Sequence, residues 1–158
     1  MKISDRIYSV GVNDNEKVLF EGLWPLPYGV SYNSYIVSDD KIALIDTVEA
    51  GFEEEYLANV KEVIKDRNLD YLVVNHMEPD HSANIANFLN VYPEAVVVSS
   101  QKAFAMMNNF FGTDYADRRI VIKEGDSLCL GKHTLNFVAA PMVHWPEVMV
   151  TYDSCDKV

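Results

Sequence analysis

Short apolar runs alternate with amphipathic helices through the middle of the chain, and this order restricts the fold more than any other feature. The run LDYLVVNH at 69–76 is rich in valine and leucine, which predicts a strand buried on both faces. AVVVSS at 95–100 repeats the pattern, and helices are predicted at 82–89 and 101–111. Gly112 can end the second helix. We therefore expect βαβα units within a layered α/β domain.

The segment before these units predicts a hairpin and a helix. Residues 30–37 and 41–47 are rich in β-branched and aromatic residues and flank the polar turn Ser38–Asp40. Residues 52–67 have apolar side chains at helical spacing, an acidic start and a basic end. These charges complement the helix dipole, so this helix is predicted from two independent signals.

The last third of the chain predicts short strands. From Arg119 onward, apolar segments are separated by turns at 124–126 and 131–132. The final segment, 147–158, predicts a strand, a turn and the beginning of another strand. Two interpretations remain open for it: an edge strand with a frayed terminus, or a sequence cut within a domain.

Composition excludes several classes of function. The 158 residues are 49% apolar, which is enough for one domain with a hydrophobic core. Only 13 Lys and Arg oppose 24 Asp and Glu, and the net charge of −11 disfavours nucleic-acid binding. We see no membrane-length apolar run and no signal peptide, so a cytoplasmic protein without nucleic-acid or membrane partners is expected. Cys129 and Cys155 form no CxxC pair, which suits a reducing compartment.

Four side chains able to bind a metal lie within six residues, directly after the predicted strand at 69–76. They are His76, Glu78, Asp80 and His81. Imidazole and carboxylate ligands suit a borderline or hard divalent metal, and a loop at a strand end can direct several side chains to one point. The structural alternative is that Asp80 caps the next helix while Glu78 and His81 are solvated.

The remaining histidines and possible nucleophiles give weaker signals. His144 follows an apolar strand, and it is either a packed, hydrogen-bonded histidine or a further ligand paired with the His76 cluster. His133 follows a turn and is predicted to be a surface residue without a role. The Phe and Met stripe at 104–111 is predicted to be core. Ser82 lacks a GxSxG setting and Cys129 an activated one, so nucleophilic catalysis is not supported.

The order HxExDH after a buried strand resembles the metal motif of the metallo-β-lactamase superfamily. Glu78 stands where its zinc hydrolases usually carry a second histidine. Together with YSVGVND at 8–14, LWPLP at 23–27, YNSY at 32–35 and APMVHWP at 140–146, the motif resembles the amino-terminal domain of flavodiiron proteins over essentially the whole chain. This resemblance implies an αββα sandwich of the α/β (α+β) class, incomplete at the carboxyl terminus.

The resemblance also implies a non-haem diiron centre that reduces dioxygen to water, nitric oxide to nitrous oxide, or both. In family terms, His76, Glu78 and His144 match the ligands of one iron. Asp80 matches a ligand of the second iron, and His81 lies at a position that binds it in some members. A carboxylate in place of an imidazole suits iron that cycles between oxidation states, which zinc does not do.

Further features of the family concern Asp46 and the segment after Val158. Asp46 resembles the superfamily's scaffold aspartate, which orients ligands, although closing a turn is an equally open role. The resemblance implies that more ligands of the second iron and a flavodoxin-like FMN domain follow Val158. Residues 1–158 would then be the amino-terminal portion of a diiron domain within a longer electron-transport protein. FMN, a rubredoxin-like donor and a head-to-tail homodimer are implied for that protein, in an anaerobic or microaerobic microbe.

Two alternative functions remain open at this point. One is a zinc-dependent hydrolase of the same superfamily, in which a metal-bound hydroxide attacks an ester, thioester or phosphodiester. Glu78 is the residue that discriminates against it. The other is a non-catalytic domain with a vestigial metal site, which predicts that replacing His76 leaves metal content unchanged.

Overall fold

The computed structural model describes residues 1–158 and contains thirteen short strands and four helices. The first half consists of β1 (Ile7–Ser9), β2 (Val12–Asp14), β3 (Leu19–Phe20), β4 (Trp24–Pro25), β5 (Val30–Tyr32), β6 (Tyr35–Ser38), β7 (Ile42–Ile45) and α1 (Glu53–Ile64). The second half consists of β8 (Tyr71–Val73), α2 (Pro79–Ser82), α3 (Ile85–Val91), β9 (Val96–Ser100), α4 (Gln101–Phe111), β10 (Arg119–Ile122), β11 (Ser127–Cys129), β12 (Thr134–Ala139) and β13 (Met149–Asp153).

Six strands form a mixed central sheet in the order β1-β6-β7-β8-β9-β10. From β7 to β10 the strands are parallel, and helices make the crossovers that parallel pairing requires. β6 pairs antiparallel with both β1 and β7, as the predicted hairpin around Ser38–Asp40 requires. β2 pairs with β5, and β3 pairs with β4, so that these four strands form two separate two-stranded sheets.

Successive residues of the central strands belong to two different hydrophobic clusters. In β7, Ile42 and Leu44 pack into a cluster of 23 buried residues, whereas Ala43 and Ile45 pack into one of 12. This follows from the two-residue period of a strand, which sends neighbouring side chains to opposite faces. The larger cluster lies between the sheet and α1, α3 and α4, and the smaller one includes Phe137 of β12.

β11, β12 and β13 form an antiparallel sheet that packs on the face of the central sheet opposite the helices. The protein thus has a helix layer, a six-stranded layer and a three-stranded layer, which confirms the predicted fold class. The outer face of the small sheet is open to solvent, where Val138, Val150 and Tyr152 are 46%, 52% and 41% exposed. β13 is an edge strand of this sheet.

Most predicted elements are confirmed, with shifts at their ends. The helix at 101–111 is found as α4, where Ser100 accepts a hydrogen bond from the Ala103 N–H at 3.1 Å and Gly112 adopts φ 72°. The segment 30–37 forms two strands in two different sheets rather than one. The predicted core position of Phe110 is wrong, because its side chain is 50% exposed on the outer face of α4.

The prediction that His133 lies at the surface is also wrong. Its relative exposure is only 2%, although it directly follows the turn at Gly131. Its backbone N–H donates to Asp39 Oδ2 at 2.7 Å, and its ring lies 3.1 Å from Asp153 Oδ2. These two carboxylates compensate the buried polar groups of His133, a long-range pairing that local sequence does not reveal.

None of the four helices has the length and apolar content needed to cross a bilayer.

Candidate metal centre

The candidate site begins at the carboxyl ends of two adjacent parallel strands. Asp46 follows β7, and Asn75 and His76 follow β8, so parallel pairing brings them to one edge of the sheet. Asp46 Oδ1 accepts a hydrogen bond from the Asn75 N–H at 2.7 Å, and the His76 N–H lies 3.4 Å from the same oxygen. Asp46 therefore fixes the backbone from which the metal motif starts, instead of closing a local turn.

Burial and packing define the chemistry of Asp46. Burial raises the pKa of Asp46 to about 6, against the opposing effects of His81 and the backbone donors of Asn75 and His76. The Tyr56 hydroxyl of α1 donates to the Asp46 carbonyl oxygen at 2.9 Å, which ties this corner to the helix layer. Asp46 has φ 55°, a left-handed conformation that aspartate tolerates better than most residues.

Three donor atoms converge beside this edge. His76 Nε2 lies 3.1 Å from Glu78 Oε2, and His144 Nε2 lies 3.0 Å from the same oxygen. The two Nε2 atoms are 3.3 Å apart. His76 and Glu78 come from the loop after β8, whereas His144 comes from the loop between β12 and β13, 68 residues from His76.

These separations fit one metal ion. Ligands at about 2.1 Å from an ion, with tetrahedral to octahedral angles, lie about 3.0–3.4 Å from one another. Two imidazole nitrogens and a carboxylate oxygen form a donor set for a borderline divalent metal, iron included. His76, Glu78 and His144 therefore fit a metal by both distance and chemistry.

Glu147 completes the surroundings of His76, and sequence reasoning did not single it out. Its side chain is fully buried, and Oε1 lies 2.8 Å from His76 Nδ1 and accepts the Met77 N–H at 2.9 Å. A carboxylate at Nδ1 holds the ring proton there and leaves the Nε2 lone pair for a metal. A buried histidine ligand generally needs a carboxylate or carbonyl partner at its other ring nitrogen, and this rule predicts that some such residue exists. Which residue it is cannot be read from the sequence, because Glu147 lies 71 residues from His76 and only the fold brings them together.

Asp80 and His81 lie next to this cluster, on α2. His81 Nε2 lies 3.6 Å from Asp80 Oδ2, and the His81 and His76 ring centroids are 5.4 Å apart. Asp80 lies within the first turn of α2, whose N-cap position is occupied by Glu78, so the alternative role of Asp80 as the residue that caps this helix is wrong. Asp80 Oδ1 and His81 Nδ1 are buried without a hydrogen-bond partner.

The site is strongly acidic. Burial raises the pKa of Asp80; His81 opposes this rise, and the neighbouring carboxylates Glu78 and Glu49 add to it. Five carboxylates lie around the three histidines: Asp46, Glu49, Glu78, Asp80 and Glu147. An excess of nearby negative charge favours binding of a cation.

One side of the site is open to solvent. The side chain of His144 is 63% exposed, and Met142 and Val143 beside it are each 70% exposed. Trp145 packs its ring edge-on against His76, with centroids 5.3 Å apart. Small molecules can therefore reach the donor cluster from the 142–144 side, while Trp145 covers His76.

Comparison with known proteins places this geometry in a family. The model of the family described as ODP family beta lactamase matches residues 30–158. Flavo-diiron protein FprA2 of Clostridium acetobutylicum is 38% identical over all of this chain and 40% of its own length. A nitric oxide reductase of Moorella thermoacetica is 40% identical over 95% of this chain and 38% of its own length.

A solved structure has the same fold. The rubredoxin oxygen:oxidoreductase from Desulfovibrio gigas superimposes with a TM-score of 0.91 at 34% identity. The match covers 98% of this chain and 38% of that one. The chain thus spans about 40% of the length of the relatives that it matches. The family match shows that this chain belongs to the ODP family of beta-lactamase domains, and the shared sequence and fold show that it is similar to the corresponding part of flavodiiron proteins.

Proposed function

We propose that this chain forms the diiron-binding portion of an oxidoreductase that reduces dioxygen to water, nitric oxide to nitrous oxide, or both. The observation that carries the proposal is the convergence of His76, Glu78 and His144 within 3.0–3.3 Å. Two relatives with these activities in their names, a nitric oxide reductase and a rubredoxin oxygen:oxidoreductase, support it.

The proposed ligands divide into two groups. His76, Glu78 and His144 would hold one iron, and Asp80 with His81 would contribute to the second. The unpartnered Asp80 Oδ1 and His81 Nδ1 support the second group, because buried polar atoms normally have a partner. Bound iron would supply electrons for the reduction by cycling between its ferrous and ferric states, which zinc cannot do.

The remaining residues of the site would orient ligands and control access. Glu147 keeps the proton of His76 on Nδ1, so that Nε2 stays available as a donor. Asp46 holds the backbone of Asn75 and His76 in place. Trp145 shields one face of the cluster from water, while the exposed side at Met142 and Val143 admits a small substrate.

The domain assignment and the other components of the reaction are part of the same proposal. We assign residues 1–158 to the amino-terminal portion of the diiron domain of a longer protein. The coverage of about 40% of each relative supports this assignment. Electrons would come through FMN in a flavodoxin-like domain, delivered by a rubredoxin-type carrier, and a head-to-tail homodimer would bring FMN of one subunit near the iron of the other.

Iron binding by the chain itself is the first test. The chain is purified without oxygen, titrated with ferrous iron, desalted and analysed for metal per chain. We expect His144→Ala to lose the iron bound by the first group, and its exposed side chain means that the variant should fold normally. Glu94→Gln, which replaces an exposed carboxylate elsewhere, serves as the matched control.

Two results would contradict the proposal. If His144→Ala bound as much iron as the wild-type chain, the convergent cluster would not be a metal site. If zinc bound to His76, Glu78 and His144 in preference to iron and the zinc-loaded chain hydrolysed a generic ester, the protein would be a hydrolase. Consumption of oxygen and nitric oxide by the iron-loaded chain with a chemical reductant then tests the reaction separately from the binding.

A further inference from the structure

A second cluster of metal-binding side chains lies at the opposite end of the small sheet. His133 precedes β12, and Asp153 ends β13, whereas the loop that carries His144 follows β12. The six residues of β12 separate the two clusters by roughly 17–20 Å. The second cluster is therefore distinct from the candidate iron site.

Three different donor types meet in this cluster. One ring nitrogen of His133, the Cys155 Sγ and a carboxylate oxygen of Asp156 all lie within 4.8 Å of one another. Asp153 supports two of them, because its Oδ2 lies 3.1 Å from His133 Nδ1 and accepts the Asp156 N–H at 2.8 Å.

The backbone holds these donors in place. The Asp153 N–H donates to the Val158 carbonyl at 2.7 Å, and the Val158 N–H donates back at 3.2 Å, which closes the turn that carries Cys155 and Asp156. The Ser154 N–H donates to the Thr134 carbonyl at 3.2 Å, next to His133. The turn is therefore bound to the start of β12.

Two buried oxygens of this cluster have no hydrogen-bond partner. They are Asp153 Oδ1 and Asp156 Oδ2. The residue Asp153 is only 3% exposed, and Asp39, whose carboxylate binds the His133 N–H, adds a further negative charge. Buried carboxylate oxygens without a partner destabilise a folded protein unless a cation compensates them. The cluster thus contains ligand atoms and negative charge suited to a bound cation.

We propose that His133, Cys155 and Asp156 form a binding site for Zn²⁺, with Asp153 as the positioning residue of His133. Thiolate, imidazole and carboxylate together are ligands typical of tetrahedral zinc, and a water would complete the four. On binding, the Cys155 thiol transfers its proton to solvent and the thiolate sulfur bonds to the metal. A carboxylate against a ligand histidine is the usual arrangement in metal sites. The bound ion would crosslink the turn at 153–158 to the start of β12.

Cobalt(II) titration of the chain distinguishes this site from the candidate iron site. Thiolate ligation gives cobalt a sulfur-to-metal charge-transfer band, and none of the candidate iron ligands contains sulfur. We expect the band in the wild-type chain, in His144→Ala and in Cys129→Ser, and its loss in Cys155→Ser. Cys129 is the matched control because it is exposed at the end of β11. Absence of the band from the wild-type chain, or its persistence in Cys155→Ser, would overturn the proposal.

A second experiment uses zinc itself and tests the role of Asp153. In the Cys129→Ser background, Zn²⁺ should protect Cys155 from a thiol-modifying reagent, and a chelator should reverse the protection. Asp153→Asn should weaken Zn²⁺ binding about 10- to 100-fold while the circular dichroism spectrum stays the same. Equal modification rates with and without Zn²⁺, or unchanged affinity in a folded Asp153→Asn variant, would refute the assignment.

Discussion

At the scale of single residues, the metal cluster depends on side chains that are not themselves donors. Glu147 and Asp46 both use carboxylate oxygens to hold His76, one at its ring and one at its backbone. Each is largely buried, and each is brought to His76 by a different part of the chain. Replacing either residue therefore tests positioning separately from ligation.

Glu147→Gln should weaken iron binding without removing a ligand. The amide cannot supply the negative charge that keeps the proton on His76 Nδ1. Replacing such a partner of a ligand histidine typically lowers metal affinity about 10- to 100-fold. Ferrous-iron titration of the variant and of Glu94→Gln, whose side chain is exposed, measures the effect. Equal affinities in the two variants would mean that Glu147 has only a packing role.

Asp46 makes the stability of the metal-free chain depend on pH. Its pKa is raised from 3.8 to about 6 in the folded state, so the folded state binds the proton more tightly than the unfolded state. Stability from this group is therefore fully present below about pH 4 and is lost as pH rises to about 6, with an upper limit of about 3 kcal/mol.

Asp46→Asn removes this titration but keeps an oxygen to accept the Asn75 N–H. Urea unfolding of both metal-free proteins between pH 4 and 7 should show the wild-type chain losing stability relative to the variant as pH rises. A stability difference that does not change with pH would show that Asp46 has an ordinary pKa.

At the scale of elements, the carboxyl-terminal end of α4 is determined by a single local residue, Gly112. Gly112 ends the helix with φ 72°, where a side chain without a compensating polar group is strained. Gly112→Ala should lower the free energy of unfolding by about 1–2 kcal/mol. Gly112→Asn should lower it less, because asparagine tolerates this conformation. Equal unfolding midpoints in urea for both variants and the wild-type chain would contradict this explanation.

Features that depend on residues close in sequence could be predicted, whereas contacts between residues distant in sequence could not. The α4 helix, the β6–β7 hairpin and the strands β8 and β9 follow from period, caps and turns within a few residues. The HxExDH motif could likewise be recognised from the sequence, because it places four metal-binding side chains within six residues directly after a predicted strand. Burial of His133 and the contact of Glu147 with His76 depend on pairings 94 and 71 residues apart, so only the assembled fold reveals them.

At the scale of the whole molecule, the central sheet joins the two hydrophobic clusters. Phe104 of α4 lies in the cluster on one face, and Phe137 of β12 lies in the cluster on the other. Because β7, β8 and β9 contribute side chains to both, loss of packing on one face should destabilise the entire chain.

Phe137→Ala and Phe104→Ala test this coupling. Each should cost about 3–5 kcal/mol, and each should shift the helical circular dichroism transition in urea by a similar amount. Phe137 lies in the smaller cluster, away from the helix layer, so its effect on the helical signal is the informative one. A helical transition that stays at the wild-type midpoint in Phe137→Ala would mean that the layers unfold independently.

The exposed face of the small sheet is where we expect two copies of the chain to associate. Val138 of β12 and its cross-strand partner Val150 of β13 form, together with Tyr152 of β13, an exposed apolar patch in a molecule whose net charge of −11 otherwise keeps copies apart. Light scattering should therefore increase when salt screens the repulsion, and Val150→Lys should suppress that increase. The colloidal behaviour of this acidic protein would then depend on one small patch as well as on its net charge.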